Sequence, residues 1–463
     1  MYDSSFGGIS FSGYPSVAYT DMITFSILLG VLYAVSLAVI RLWLSPIAGF
    51  PGPKLAAVTF WYEFYYDWVL TGKYYQRIKE IHDEYGPIVR ISPDELHIAD
   101  ASFYDQLYVS TAVRKSNGYH RFGRGTGFED MVALSIDHDI HRASIAPLKP
   151  FFSPAGISRV EPRIEACVLK LGQKLEELAS VNADPGNPVI VNLSHAFNSY
   201  TNADHEQKAR REILNSKSRP AKEAKNRADT TVFDHLVHSE RTDTPYGVES
   251  CSRVAQLIQQ AGTYNSGRTI ETIVAFLCLN DNKRNILCEA LRPVFAQSDS
   301  VSWRELEKIP YLSACIKEGL RLAIGNMLRA PRISDDELYY NQWRIPKRTA
   351  VSMTTYWMHM DPVVFTNPYS FEPDRWLNSS PDKLREMNNH FVPFAKGSRP
   401  CLGQHLAWME LYRAIAHLYR PGVPKIHLYE TDETDVIPVH GLLFSMPRRD
   451  SPGVRAFLTK APH

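Results

Sequence analysis

Six cysteines (Cys167, Cys251, Cys278, Cys288, Cys315 and Cys401) are scattered along the chain, and no two of them form a Cys-x-x-Cys pair. That excludes a zinc ribbon and argues against a secreted disulfide scaffold; reduced, cytosol-facing thiols fit better. Charge of one sign is also lacking, because 51 Lys and Arg stand against 50 Asp and Glu for a formal net charge of +1. Nucleic acid as a partner therefore has no electrostatic basis. A nucleotide-binding loop is missing too. The glycine-rich run Phe122-Gly-Arg-Gly-Thr-Gly127 follows no strand pattern, opens no helix with a further glycine and carries no Walker lysine. What is present is ordinary for a globular protein: 44% hydrophobic and 22% charged residues, in a length of 463 that holds two or three domains or one large one.

The longest stretch without charge is Met22 to Ile40, closed by Arg41. As a helix it spans about 28 Å, close to the thickness of bilayer hydrocarbon. A cleavable signal would begin with basic residues and end at small ones, and this segment does neither. Positive charge begins only after the span, at Arg41 and Lys54, which predicts a lumenal segment 1–21, a transmembrane anchor over 22–44 and a cytosolic body over 45–463. Phe50-Pro51-Gly52-Pro53 then forms a stiff, bent connector, since neither proline can continue a helix.

Along the body, an aromatic-rich helical pattern runs from Trp61 to Tyr85. Pro87–Ile91 and Glu95–Ile98 read as a β-hairpin turned by Ser92-Pro93-Asp94. Residues 157–180 and Val254–Leu279 are helical candidates, as is Tyr311–Leu322. Leu338–Ile345 and Thr349–Met353 read as a hairpin turned at Pro346-Lys347. From His205 to Arg227 eight basic and three acidic residues leave almost no apolar face, which predicts a solvated segment.

The chemistry concentrates at Phe394-Ala-Lys-Gly-Ser-Arg-Pro-Cys-Leu-Gly403, which runs into a helical pattern from Leu402 to Tyr419. A thiol at a helix start meets unpaired N–H groups and the positive end of the helix dipole, and both favour the metal-ligating thiolate. A lone cysteine at such a junction is otherwise an ordinary buried residue. The whole decamer is more specific. With Phe394, Gly397, Arg399, Cys401 and Gly403 in place, it resembles the haem-binding loop of the cytochrome P450 superfamily, and Trp357-Met-His-Met-Asp-Pro362 with Phe371-Glu-Pro-Asp-Arg-Trp-Leu377 resembles the fungal membrane-bound secondary-metabolism type, similar to trichodiene oxygenases.

The resemblance implies a mainly α fold with small β-sheets and makes Cys401 the axial thiolate of a haem iron. Arg399 faces an anionic group of the same haem, and His138 and Arg142, four apart, match the pair that faces its propionates. In the central helix, Ala261, Gly262 and Ser266 match the family's distal motif, whereas Tyr264 stands for its acid and Asn265 for its threonine. Proton transfer is then expected through ordered water, Thr263, Asn265, Ser266 or a substrate hydroxyl. Glu318 and Arg321, with Arg375 downstream, match the buried triad that locks the segment before the cysteine loop. The 201–241 region departs from the family by being short and polar where a substrate roof is expected.

The implied function is insertion of one oxygen atom from dioxygen into an apolar small molecule, a terpenoid or polyketide intermediate. Electrons are expected from NADPH through a separate NADPH–cytochrome P450 reductase, docking near Lys396 and Arg413, at the endoplasmic reticulum membrane. A haem-thiolate isomerase or dehydratase that uses no dioxygen, and a catalytically impaired haem-binding relative, remain as alternatives.

Overall fold

The computed structural model describes residues 16–122, 135–181, 188–201, 247–298, 300–327, 329–442 and 444–460. Residues 1–15, the glycines after residue 122 and the polar run 205–227 lie outside the described residues.

The first element is a helix over Ser16–Val39, continued by a π-helical turn over Ile40–Leu44. Its stretch Tyr19–Leu44 is long and apolar enough to cross a membrane, and in its most apolar part no side chain is buried against the body. The helix base is tied down by Arg41, which donates to Val58 O at 2.5 Å, and by Arg90, which donates to Arg41 O at 2.8 Å. The pattern expected as one helix from Trp61 to Tyr85 is instead three pieces: Trp61–Phe64, a π-turn Tyr65–Val69, and Tyr74–Tyr85. The break falls at Thr71 and Gly72, whose φ values of 57° and 67° no helix accommodates.

The described residues hold twelve short strands. Strands β1 (Ile88–Arg90) and β2 (Glu95–Ile98) form the expected hairpin, with Ile88 opposite Ile98. Next come β3 (Ser116–Gly118), β4 (Val191–Asn192), β5 (Arg332–Ser334), β6 (Leu338–Tyr340), β7 (Trp343–Ile345) and β8 (Ala350–Ser352). The last four are β9 (Lys425–Leu428), β10 (His440–Gly441), β11 (Ser445–Met446) and β12 (Arg455–Thr459). One sheet has the order β1-β2-β8-β5-β3, and a second has β4-β12-β9.

The hairpin expected to turn at Pro346-Lys347 turns instead at Asn341, whose φ of 49° suits an asparagine, and pairs β6 with β7. Strand β8 leaves that hairpin to run parallel to β2, Glu95 opposite Ala350, and antiparallel to β5. Pro346-Lys347 is therefore a crossing between sheets.

The core surrounds the central helix Gly247–Leu279, in which Ile270, Ile273, Val274 and Leu277 are fully buried. Against it pack the helices Pro310–Ala323, with Leu312, Cys315 and Ile316, and Gln404–Tyr419, with Leu411, Ala414 and Ile415. The approach is close: a Cβ on Gly319 would lie 2.2 Å from Ile273 Cγ1. The C-terminal helix starts at Gln404 rather than Leu402, so the cysteine stays in the loop before it.

Candidate active site

The decamer folds back on itself through a 2.8 Å bond from Cys401 N to Phe394 O, while the Phe394 ring leans on Trp408 one turn into the C-terminal helix. Gly397 has φ 82°, and a Cβ there would lie 2.3 Å from Tyr108 O, so only glycine lets the loop rest on that backbone. Lys396 pairs with Asp105 at 2.9 Å. Protein surrounds Cys401 closely enough for burial to raise its thiol pKa, against which the Gly403 N–H acts, yet the residue keeps an exposed side. The lowering expected from the helix start is therefore outweighed, and a metal cation is what would make the thiolate.

Arg399 donates to Ser135 O at 2.5 Å and to Ile136 O at 2.9 Å, and its buried Nε has no hydrogen-bond partner among the described residues. Beside it is Arg332, which sequence reading missed. It begins β5, lies over the Tyr108 ring at 5.3 Å and, among the described residues, donates its side chain to the carbonyls of Ala330 and Pro331. Among the described residues neither arginine forms an ion pair, and desolvation lowers both pKa values, that of Arg399 to about 10.

His138 is buried, its Nδ1 at 3.3 Å from Ser116 O and its Nε2 without a partner. His141, one turn on, is buried as well, and burial with the charges of Arg399 and Arg332 holds its pKa down near 4. Arg142 is exposed. Two unpaired arginines with an orphaned imidazole nitrogen make a place for a dianion. With an accessible thiol nearby in the chain, they fit an iron porphyrin carrying two propionates.

On the central helix a Cβ added at Gly262 would meet nothing within 4 Å, and the same holds for Gly403 after the cysteine, as a bulky flat group requires. One turn beyond Gly262 the same face is closed, because Ser266 donates to Glu410 of the C-terminal helix at 2.7 Å. Glu410 is buried, which raises its pKa to about 7. Tyr264, standing where the family has its acid, points elsewhere: it donates to Ser445 O at 2.8 Å and packs on Phe444. Asn265 donates to Ala261 O at 3.0 Å and leaves its buried Oδ1 unpartnered. Thr263 is buried.

Glu318, Arg321 and Arg375 come together. Arg321 holds Glu318 through two bonds of 2.9 and 2.8 Å with both side chains fully buried, and Arg375 Nε sits 3.2 Å from Glu318 Oε1. Glu318 also accepts from Trp376 Nε1 at 2.8 Å and from Glu372 N at 3.0 Å. Arg321 reaches onward to the carbonyls of His359, Pro368 and Ser370. Trp376, in the segment read for its arginine alone, is thus part of the same network.

One expectation is corrected. Arg413 is not a surface residue for a redox partner; it is buried and bound to Glu161 at 2.5 Å and Glu165 at 3.4 Å.

A family profile described as Cytochrome P450 matches residues 189–420. The chain is similar to the cytochrome P450 monooxygenase oblB of Cochliobolus heterostrophus, 35% identical over 91% of this chain and 93% of the relative. It is also similar to fusicoccadiene C-8 hydroxylase of Phomopsis amygdali, 35% identical over 90% and 92%, and to stellatic acid synthase of Emericella variicolor, 34% identical over 91% and 92%. The oblB alignment runs over 501 positions, more than the 463 residues of this chain, so the relative carries stretches that this one lacks. Loop, triad and relatives agree: the chain belongs to the cytochrome P450 family.

Proposed function

We propose that this monooxygenase hydroxylates an apolar small molecule of fungal secondary metabolism, a terpenoid before a polyketide. The observation that carries the reading is the accessible thiol of Cys401 two residues from Arg399, which with Arg332 forms no ion pair among the described residues. The relatives named for fusicoccadiene and stellatic acid support the substrate class, although another similar protein is named a tryptophan 6-hydroxylase.

When bound, the haem would supply the iron chemistry by which dioxygen, two electrons and two protons convert a C–H bond to an alcohol and release water. The chain's own residues do the rest. Cys401 holds the iron, and Phe394, Gly397 and Gly403 shape the loop that presents it. Arg399, Arg332 and His138 hold the propionates, with Arg142 at the rim. Gly262 leaves room on the central helix. Asn265 Oδ1, which has no partner among the described residues, is the group proposed to hold a water or a substrate hydroxyl, with Thr263 and Ser266, the latter bound to Glu410, on the same stretch of helix. Glu318, Arg321 and Arg375 keep the segment before the loop rigid and do no bond chemistry. Electrons come from NADPH through a separate flavoprotein reductase that docks on the surface around Lys396. The helix 22–44 anchors the chain once in the endoplasmic reticulum membrane with the haem domain in the cytosol.

The test is turnover of the full, haem-loaded chain with a reductase, NADPH and a panel of terpene hydrocarbons and polyketides. Oxygenated product with matching dioxygen uptake is expected. Conversion without dioxygen uptake would replace this reading by the isomerase or dehydratase one, which the asparagine at 265 favours. Failure of every apolar ligand to perturb the haem spectrum would favour an impaired haem protein.

A further inference from the structure

The C-terminal helix carries two oxidisable rings in line with the cysteine loop. Trp408 lies against Phe394 with 5.8 Å between ring centroids, and Phe394 O is the acceptor for Cys401 N. One turn further, Tyr412 stacks on Trp408, again at 5.8 Å and with 27° between the planes. Stacked aromatic side chains at i and i+4 are ordinary helix packing.

Two features go beyond packing. The first is the order of the rings. Phenylalanine gives up an electron with difficulty, whereas indole and phenol do so far more readily, so the two donors follow one another outward from the loop. The second is a proton outlet at the far end. Tyr412 is buried, and burial raises its pKa, so the phenol keeps its proton in the resting protein. Its oxygen lies 2.9 Å from Ser313 Oγ, and Ser313 spends its single hydrogen on Glu307 O at 2.8 Å. Tyr412 is therefore the donor of that pair and Ser313 the acceptor. Ser313 is half-buried and Glu307 exposed, so the line of contacts ends at water.

An oxidising equivalent that meets no substrate must be discharged elsewhere or damage the cofactor that holds it. We propose that Trp408 and Tyr412 are an electron-donor chain that discharges the oxidised haem when the substrate site is empty. In one passage Trp408 gives an electron toward the haem and Tyr412 replaces it. The Tyr412 O–H bond breaks, its proton passing to Ser313 while Ser313 releases one to water. The neutral radical left on Tyr412 takes an electron and a proton from a soluble thiol. Two passages supply two electrons, which with two protons from water balance the reduction of one hydrogen peroxide to two waters, and two thiols leave as one disulfide. The inference rests on the haem-thiolate reading of Cys401 and gives a use to the helix behind it.

The experiment mixes the full, haem-loaded chain, free of substrate, with hydrogen peroxide and freezes it rapidly. Electron paramagnetic resonance is expected to show a tyrosyl radical, and a nitroso spin trap present during the reaction should mark Tyr412 and Trp408. Both lie in the tryptic peptide 397–413, because Pro400 protects the bond after Arg399, and fragmentation tells them apart. Tyr412→Phe should lower the tyrosyl signal severalfold and leave the adduct on Trp408. Trp408→Phe should cut adducts on Tyr412 severalfold, and exchanging both should speed peroxide bleaching of the haem severalfold. Adducts confined to other residues of the parent protein overturn the inference, whatever the variants do. A Tyr412 adduct that Trp408→Phe leaves unchanged overturns it as well, as does parental bleaching in the double variant. A parent protein whose reduced carbon-monoxide complex lacks the red-shifted Soret band refutes the haem-thiolate reading, and the inference with it.

Discussion

Ser266 donates a 2.7 Å hydrogen bond to the buried carboxyl of Glu410, joining the central helix to the helix that follows the cysteine loop. Burial raises the Glu410 pKa from 4.5 to about 7. Between those values the folded protein keeps a proton that the unfolded chain releases. The contribution is therefore full below about pH 4.5 and lost as pH rises to about 7. Glu410→Gln is expected to abolish this loss. Relative to the parent protein it should gain stability from pH 4.5 to pH 7, by on the order of 3 kcal/mol at most. Chemical denaturation at a series of pH values checks it; a constant difference between the two proteins would refute it.

Removing Glu318 strands two arginines in the interior. Glu318→Ala should cost about 3–5 kcal/mol in urea denaturation. Trp376→Phe removes a single bond to the same carboxylate and should cost about 1.5–3 kcal/mol while the triad persists.

Cys401→Ala tests ligation directly. The variant should fold, and its reduced carbon-monoxide complex should lack the red-shifted Soret band of a thiolate-bound haem. An unchanged spectrum refutes Cys401 as the ligand.

Arg332 and Arg399 are expected to act on haem retention. Arg332→Leu and Arg399→Leu should each raise the rate of haem transfer to apomyoglobin by about tenfold or more, the equivalent of one charge-assisted bond. Equal rates for Arg332→Leu and the parent would remove Arg332 from the site.

Tyr264 separates sequence alignment from geometry. Because its hydroxyl is held by Ser445 O, Tyr264→Phe should lower stability by about 1 kcal/mol and leave turnover intact. A large fall in kcat with unchanged stability would return Tyr264 to the proton path.

What could be read in the sequence was what is local. The cysteine loop and the long helices are written in short-range spacing, whereas the triad, with Arg375 far along the chain, was reached through the family resemblance; the helix expected over Tyr311–Leu322 is Pro310–Ala323, while the central helix begins at Gly247, well before the expected Val254. What depends on pairing across the chain was not legible. Strand β8 has no local mark of its parallel partner β2, so Pro346-Lys347 looked like a turn. Arg332 is a lone basic residue until folding sets it beside Arg399, and Arg413 looked like surface until Glu161 and Glu165 closed on it. The Trp61–Tyr85 pattern concealed its break because Thr71, unlike Gly72, carries no signal for a left-handed backbone.

Arg329 grips Glu63 of the aromatic segment and Glu95 of β2, and its own carbonyl accepts from Tyr108 and from Met353 N. Three residues later the chain reaches Arg332. One residue thereby fastens three stretches of chain: its guanidinium ties the helix of Glu63 to β2, and its carbonyl ties Tyr108, on whose ring Arg332 lies, to the end of β8.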